Sequence, residues 1–328
     1  MRRRLSRRLW VVISVALAAS PAAAFDCTKA ATAAEKAICG DSTARSADEA
    51  MAAAFFKLLA TRTPLEKRIL LAAQGRWLKA RDRDCEGSKP ACLAEQSARR
   101  RAFLAGEPEA GPGAPGRLAP ALRIEEGRKT RADINVQLLK YPAPATPAER
   151  AFDAAVDKLV GAPTEPGPDE PNPDGFAYER LMRLVYASPA LISAHIAGYD
   201  DAGGPHPNSF SADVNILVAQ GRTASFADLV APQNAKALFA LCLKQVIAAK
   251  RARMGADAPV GPDYIEELTK NVAESTSGLD FWSFGAETAT VTYNPYAVGA
   301  FAEGAYQCDI PYATLKPLAN PVFRGVLP

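Results

Sequence analysis

Six cysteines and two histidines carry the most distinctive chemistry in this chain. Cys27, Cys39, Cys85, Cys92, Cys242 and Cys308 can oxidise in pairs or offer thiolates to a metal, while His195 and His206 can ligate metal or move protons. Zinc sites are usually marked by closely spaced ligand pairs. No CxxC occurs, and both histidines lie far in sequence from the first four cysteines, so the spacing favours disulfides. His206 beside Asp200 or Asp201 would begin a base or metal site, but two histidines leave little to complete it. Asp280, Glu287 and Glu303 have no spacing that marks a carboxylate pair, and HExxH, GxSxG and P-loop motifs are missing. The expectation is a protein without catalytic residues, metal or cofactor.

Recognition is a better use for the remaining unusual residues. In Gly203-Gly204-Pro205-His206-Pro207-Asn208 the glycines permit positive φ and the prolines fix their own. Such a loop has few conformations, so it can present His206 and Asn208 at low entropic cost. The plainer reading is a hairpin turn with incidental polar residues. Tyr293, Tyr296, Phe301, Tyr306 and Tyr312 would supply aromatic contact area or core. The candidate partner-binding residues are therefore Gly203, Gly204, His206, Pro207, Asn208, Tyr293 and Tyr296.

These residues need elements to hold them. Thr28 is placed to cap a short helix carrying Ala33, Ala34, Ala37 and Ile38. Ser46 opens a second, with Met51, Phe55, Leu58 and Leu59 on one face, and Pro64 opens a third with Ile69, Leu70, Ala73, Trp77 and Ala80 as its stripe. A fourth spans 91–104. Residues 106–120 are too rich in Gly and Pro for an element interior and read as a linker. Beyond it the pattern is mixed. Strands are expected at 131–141, 191–199, 209–219, 281–284, 288–293 and 307–310, and helices at 148–160, 235–254 and 263–271. The expected fold class is α+β: a small all-α, disulfide-bonded helical module (25–105), then an α+β domain with a mainly antiparallel sheet (121–328).

Residues 1–24 read as a secretory signal: Arg2, Arg3, Arg4, Arg7 and Arg8, a short apolar run, then Ala22-Ala23-Ala24. The expected localisation is periplasmic or secreted, with no membrane contact after signal cleavage. Export also makes nucleic acid an unlikely partner. Residues 25–105 hold 15 basic and 10 acidic side chains, and the rest of the mature chain 19 and 26, so charge divides +5 against −7. The acidic half would steer a basic partner.

In an exported chain an even cysteine count reads as disulfides. If 28–38 is continuous helix, Cys27 and Cys39 lie roughly 18 Å apart. A disulfide needs Cα atoms within about 7 Å, so these two are expected to reach across to Cys85 and Cys92 rather than pair together. The sequence leaves open whether Cys242 pairs with Cys308.

Two resemblances sharpen the reading. Phe25-Asp26-Cys27, Glu35-Lys36-Ala37-Ile38-Cys39, Gln74-x-x-Trp77-Leu78-x-x-Arg81-Asp82 and the closing Cys85 and Cys92 resemble the LprI-type lysozyme-inhibitor domain over residues 25–104. That resemblance implies a helical disulfide-bonded module and lysozyme inhibition. The cysteines and Trp77 would hold the bundle together, with Glu35, Arg76, Arg81 and Asp82 as surface ion pairs. The loop 203–208, Gly221, Phe226-Ala227-Asp228-Leu229, Val291 to Gly299, Glu303-Gly304 and Ile310-Pro311-Tyr312 resemble the RsiV-type extracytoplasmic domain over 119–318, which also accompanies PdaC-type deacetylases. It implies lysozyme sensing, although Pro205 departs from the small residue that pattern wants and no cytoplasmic anti-sigma segment or anchor is recognisable. The expected function is binding or inhibition of a lysozyme or another peptidoglycan-cleaving muramidase. The alternative is a non-catalytic peptidoglycan-associated accessory module.

Overall fold

The structure is a computed structural model that describes residues 26–127, 132–163, 176–202, 206–255 and 261–328. The signal segment and Gly203, Gly204 and Pro205 lie outside the described residues.

Four helices open the chain: α1 (Ala33–Gly40), α2 (Ser42–Ala60), α3 (Pro64–Asp84) and α4 (Pro90–Ala105). Their starts follow local chemistry. Thr32 and Glu35 close a capping box on α1, and Thr63 and Glu66 close another on α3, each satisfying backbone donors that the first turn leaves free. The capping residue of α1 is thus Thr32 rather than Thr28, because residues 27–29 form a separate 3-10 turn capped by Asp26. That break overturns the expected disulfide order. The chain folds back between the turn and α1, bringing the Cα atoms of Cys27 and Cys39 to 5.7 Å, and they pair with each other. Cys85 and Cys92 pair across the α3–α4 turn, and Cys242 pairs with Cys308.

A six-stranded sheet follows, in order β1 (Ala119–Glu125), β2 (Asp133–Lys140), β3 (Ala177–Ala187), β4 (Leu191–Asp201), β5 (Asn208–Leu217), β6 (Arg222–Thr223). Neighbours are antiparallel except β2 and β3, which are parallel and joined through α5 (Pro147–Val160). A parallel pair needs such a crossover. After α6 (Phe226–Leu229), α7 (Pro232–Met254) and α8 (Pro262–Thr276), an antiparallel meander of β7 (Trp282–Phe284), β8 (Thr288–Tyr293) and β9 (Tyr306–Pro311) leads to α9 (Tyr312–Leu318) and α10 (Pro321–Arg324). The fold is α+β, as expected.

Both faces of the large sheet are used. Ile134 lies opposite Tyr178, Met182 and Leu184 lie opposite Ile196 and Ala194, and Ala194 and Ile192 lie opposite Val214 and Ile216; with Val136 and Leu138 these residues share a core with Phe152 and Val156 of α5. The opposite face meets the helical module at one end and the small sheet at the other. Met51, Phe55, Leu70, Phe103 and Leu104 belong to the same buried cluster as the sheet residues, so helices and sheet have one core. Asn215 donates to the carbonyls of Leu279 and Trp282, and Ser193 accepts from the Phe284 amide, tying the small sheet down. The Gly/Pro-rich stretch runs beside β3, with backbone bonds from Glu109 to Leu184, Ala187 to Ala110 and Gly113 to Ala187. Gly106 ends α4 at φ +68°, where a Cβ would sit 2.1 Å from the Leu118 carbonyl, so only glycine fits this turn.

Candidate functional site

The motif residues of the helical module point inward. Arg81 is 5% exposed and bonds Asp48 at 2.9 Å, and its guanidinium lies 5.2 Å from the Trp77 ring. Arg76 forms a bidentate pair with Asp133 of β2 at 2.5 and 2.9 Å and also donates to the Glu125 carbonyl. Gln74 accepts from Arg100, which donates onward to Gln137; Gln137 bonds Asn135, and Asn135 bonds Glu179. A polar chain thus crosses from α3 and α4 to β2 and β3. The expected surface pairs are corrected here: Arg81 is buried, Arg76 spans the junction, and Glu35 serves its capping box. Among the described residues no carboxylate pairs with Arg100, and burial pushes its guanidinium down to about 9. Its role was missed because an Arg-Arg-Arg run reads as solvent-facing.

A second polar strip crosses β3, β4 and β5, where Arg183, His195 and Asp213 lie in register. His195 Nδ1 is 2.9 Å from Asp213 Oδ1, while Arg183 pairs with Glu109 at 2.6 Å. Burial raises the Asp213 carboxyl.

The residues singled out for recognition divide into surface and core. His206 Nε2 lies 3.1 Å from the Tyr296 hydroxyl, and the imidazole stacks on Phe301 with centroids 3.8 Å apart. Tyr296 and Phe301 are 5.6 Å apart. Tyr296 is 63% exposed and adopts φ +73°, a backbone state that an aromatic residue rarely takes and that concentrates at functional loops. Together these three rings form a ridge joining the β4–β5 hairpin to the loop 294–304. A groove of about 440 Å³ flanks it, lined by Ser209, Ser211, Asn294 and Phe301. Another of about 310 Å³ lies beside Tyr296, lined by Tyr264, Glu267, Asn271 and Glu303. Pro207 accepts from His206 Nδ1 through its carbonyl, and Asn208 is exposed at the start of β5. Tyr293 is not part of this surface. It is fully buried, with its hydroxyl 2.7 Å from that of Thr276, and desolvation pushes it up to about 12. Tyr306 and Tyr312 are buried too. Asp200 is engaged by Arg180.

The clamps behind the ridge were not anticipated. Asn294 pairs its side-chain amide with the backbone of Ser211, accepting from the amide at 2.8 Å and donating to the carbonyl at 2.9 Å. Gln245 of α7 does the same for Asp309 of β9. Each carboxamide substitutes for a neighbouring strand at an open sheet edge.

The fold is thus an α+β protein with a disulfide-bonded helical module. Residues 27–104 match the family described as lysozyme inhibitor LprI. No curated protein shows a significant match to the chain. The solved structures similar to it include two DUF3298 family proteins. One is a DUF3298 family protein from Pseudomonas aeruginosa PAO1, with 17% identity and TM-score 0.41, covering 66% of this chain and 97% of that one. The other is a DUF3298 family member from Bacteroides fragilis NCTC 9343, with 13% identity and TM-score 0.43, covering 64% and 97%. Three disulfides and a lysozyme-inhibitor family match indicate an extracytoplasmic protein. Among the described residues no helix is long and apolar enough to cross a membrane, and no group of three or more His, Cys, Asp or Glu side chains is placed to hold a metal ion.

Proposed function

We propose that this protein binds and inhibits a lysozyme or a related muramidase outside the cytoplasm. The observation that carries the reading is the match of residues 27–104 to a lysozyme-inhibitor family. In this reading residues 1–24 are a secretory signal, 25–105 the inhibitor-family module, 106–120 a connector and 121–328 an RsiV-like domain. The contact surface is the ridge of His206, Tyr296 and Phe301 with Pro207, Asn208 and the adjoining Gly203 and Gly204. Two physical arguments support that placement. The motif side chains Gln74, Arg76, Trp77 and Arg81 are engaged with the sheet or with the module's interior. The ridge, by contrast, stands between grooves on the part of the chain whose net charge is −7, which attracts a basic enzyme. Inhibition is then steric: the exposed Tyr296 ring and its neighbours enter the substrate cleft and exclude the polymer.

The test is calorimetric titration of the mature protein into lysozyme, paired with a cell-wall lysis assay. Binding with parallel loss of lysis is expected. Absence of binding at micromolar protein in low salt would sink the reading.

A further inference from the structure

Each of the two segments that build the ridge is bolted from behind by a buried cation set between aromatic rings and paired to a carboxylate. On the hairpin side the cation is Arg180 of β3. Its guanidinium lies 4.0 Å from the Tyr178 ring centroid and 4.7 Å from that of Phe210. It holds Asp200, the penultimate residue of β4, through two bonds of 2.7 and 3.0 Å. Gly198 makes room for this arrangement, because a Cβ there would sit 2.4 Å from the Phe210 ring. On the other side the cation is Lys250 of α7, whose side chain is 0% exposed. Its Nζ lies 4.8 Å from the Tyr306 centroid and 5.5 Å from that of Tyr264, and bonds Glu303 Oε2 at 2.5 Å. Glu303 also accepts from the Tyr306 hydroxyl and from the Ala300 amide, both at 2.7 Å. Arg253, one turn further along α7, caps the carbonyls of Glu303 and Ala305. Gly299 rests on the pair: a Cβ there would be 2.6 Å from both carboxylate oxygens and from Nζ.

Stability alone does not account for these pairs. Desolvating two charges costs about as much as their attraction returns, so apolar isosteres usually serve a core equally well. Arg180 even leaves its buried Nε without a partner. A buried pair does supply geometry, because the bonds are directional and alternative packings leave a charge unmatched. We propose that Arg180–Asp200 and Lys250–Glu303 are positioning pairs that set the hairpin and the loop 294–304 so that His206, Phe301 and Tyr296 stand as one ridge before any partner arrives. The inference rests on the lysozyme-binding reading for its affinity arm only.

The experiment compares full-length mature protein with two double variants, Lys250→Met/Glu303→Gln and Arg180→Met/Asp200→Asn. Three quantities are read: the thermal midpoint, hydrogen exchange in peptides covering 206–211 and 294–304, and lysozyme affinity. The expected result is a thermal midpoint near that of the unaltered protein, exchange at least about tenfold faster in the ridge peptides alone, and affinity about ten- to a hundredfold weaker, the cost of ordering a few side chains on binding. Unchanged ridge exchange in folded variants overturns the proposal, as does faster exchange spread evenly through α7 and β9. If a double variant fails to fold, Tyr306→Phe removes only the hydroxyl bond to Glu303. Faster exchange confined to 294–304 then supports the proposal, and unchanged exchange overturns it. If the unaltered protein does not bind lysozyme, the functional reading falls while the exchange measurement still decides the positioning claim.

Discussion

Arg81 and Tyr296 carry opposite kinds of information. Arg81 lies in a helix rich in charge, where its neighbours read as solvent-facing, yet it is buried against Asp48. Removing it strands that carboxylate, whose pKa burial already raises. Arg81→Met is expected to cost about 3–5 kcal/mol at neutral pH by urea unfolding. The loss should shrink as pH falls and Asp48 takes up a proton. Tyr296 is the converse, an exposed ring at positive φ whose neighbours, not its own burial, hold it. Tyr296→Ala should leave the thermal midpoint near its original value and weaken lysozyme binding by about 1 kcal/mol or more, measured calorimetrically. Glu303 links the ridge to pH. Burial acts to raise its carboxyl, but the bonds from Lys250, Tyr306 and the Ala300 amide outweigh it and hold the pKa below the ordinary 4.5. A lowered carboxylate pKa contributes stability that is fully present above 4.5 and disappears as pH falls through the folded value. Exchange in 294–304, corrected for its intrinsic pH dependence, should therefore be flat from neutrality to about pH 4.5 and rise below it.

At the scale of elements, legibility followed periodicity. The stretch Thr288–Tyr293 was read at its observed bounds because small and polar residues alternate with Ala289, Val291 and Tyr293. The stretch Ala177–Ala187 was missed. Its inward face carries Tyr178, Arg180, Met182 and Leu184, and an arginine at a core position breaks the alternation that signals a strand. The misjudged pairing of Cys27 has an equally local cause: one non-helical step between the 3-10 turn and α1 replaces a distance too long to bridge with 5.7 Å. The observed connectivity ranks the staples. In the chain-entropy account, a loop of 7 residues is worth about 2.4 kcal/mol and one of 66 about 4.4. Replacing Cys242 and Cys308 by alanine should therefore lower stability by more than replacing Cys85 and Cys92, as read from chemical unfolding of the two variants.

At the scale of the whole molecule, one of the buried clusters spans the junction of the helices and the large sheet, and this bears on the module as an isolated unit. Cut out as 26–105, the helices lose the sheet residues that cover Phe55, Leu70, Phe103 and Leu104. Leu70→Ala should cost about 2–5 kcal/mol in the full chain but far less in the excised module, where that side chain is already partly wet. Equal losses in the two contexts would show that the helices carry their own core. The sequence alone placed the start of α3 at Pro64, whereas α1 begins under Thr32 rather than Thr28 and α2 under Asp41 at Ser42 rather than at Ser46. The sequence also determined the α+β class, because periods of 2 and 3.6 are local, and the oxidised state of the cysteines, because an even count without metal-ligand spacing favours it. Tertiary structure decided which cysteines meet, that Arg81 and Arg100 are interior, that Tyr293 is core while Tyr296 is surface, and which buried cations stand behind the ridge. Apart from the short Cys27–Cys39 and Cys85–Cys92 loops, those outcomes depend on residues far apart in the chain meeting in space, as Lys250 and Glu303 do, and the burial of a charge is set by its partner rather than by its neighbours in the chain.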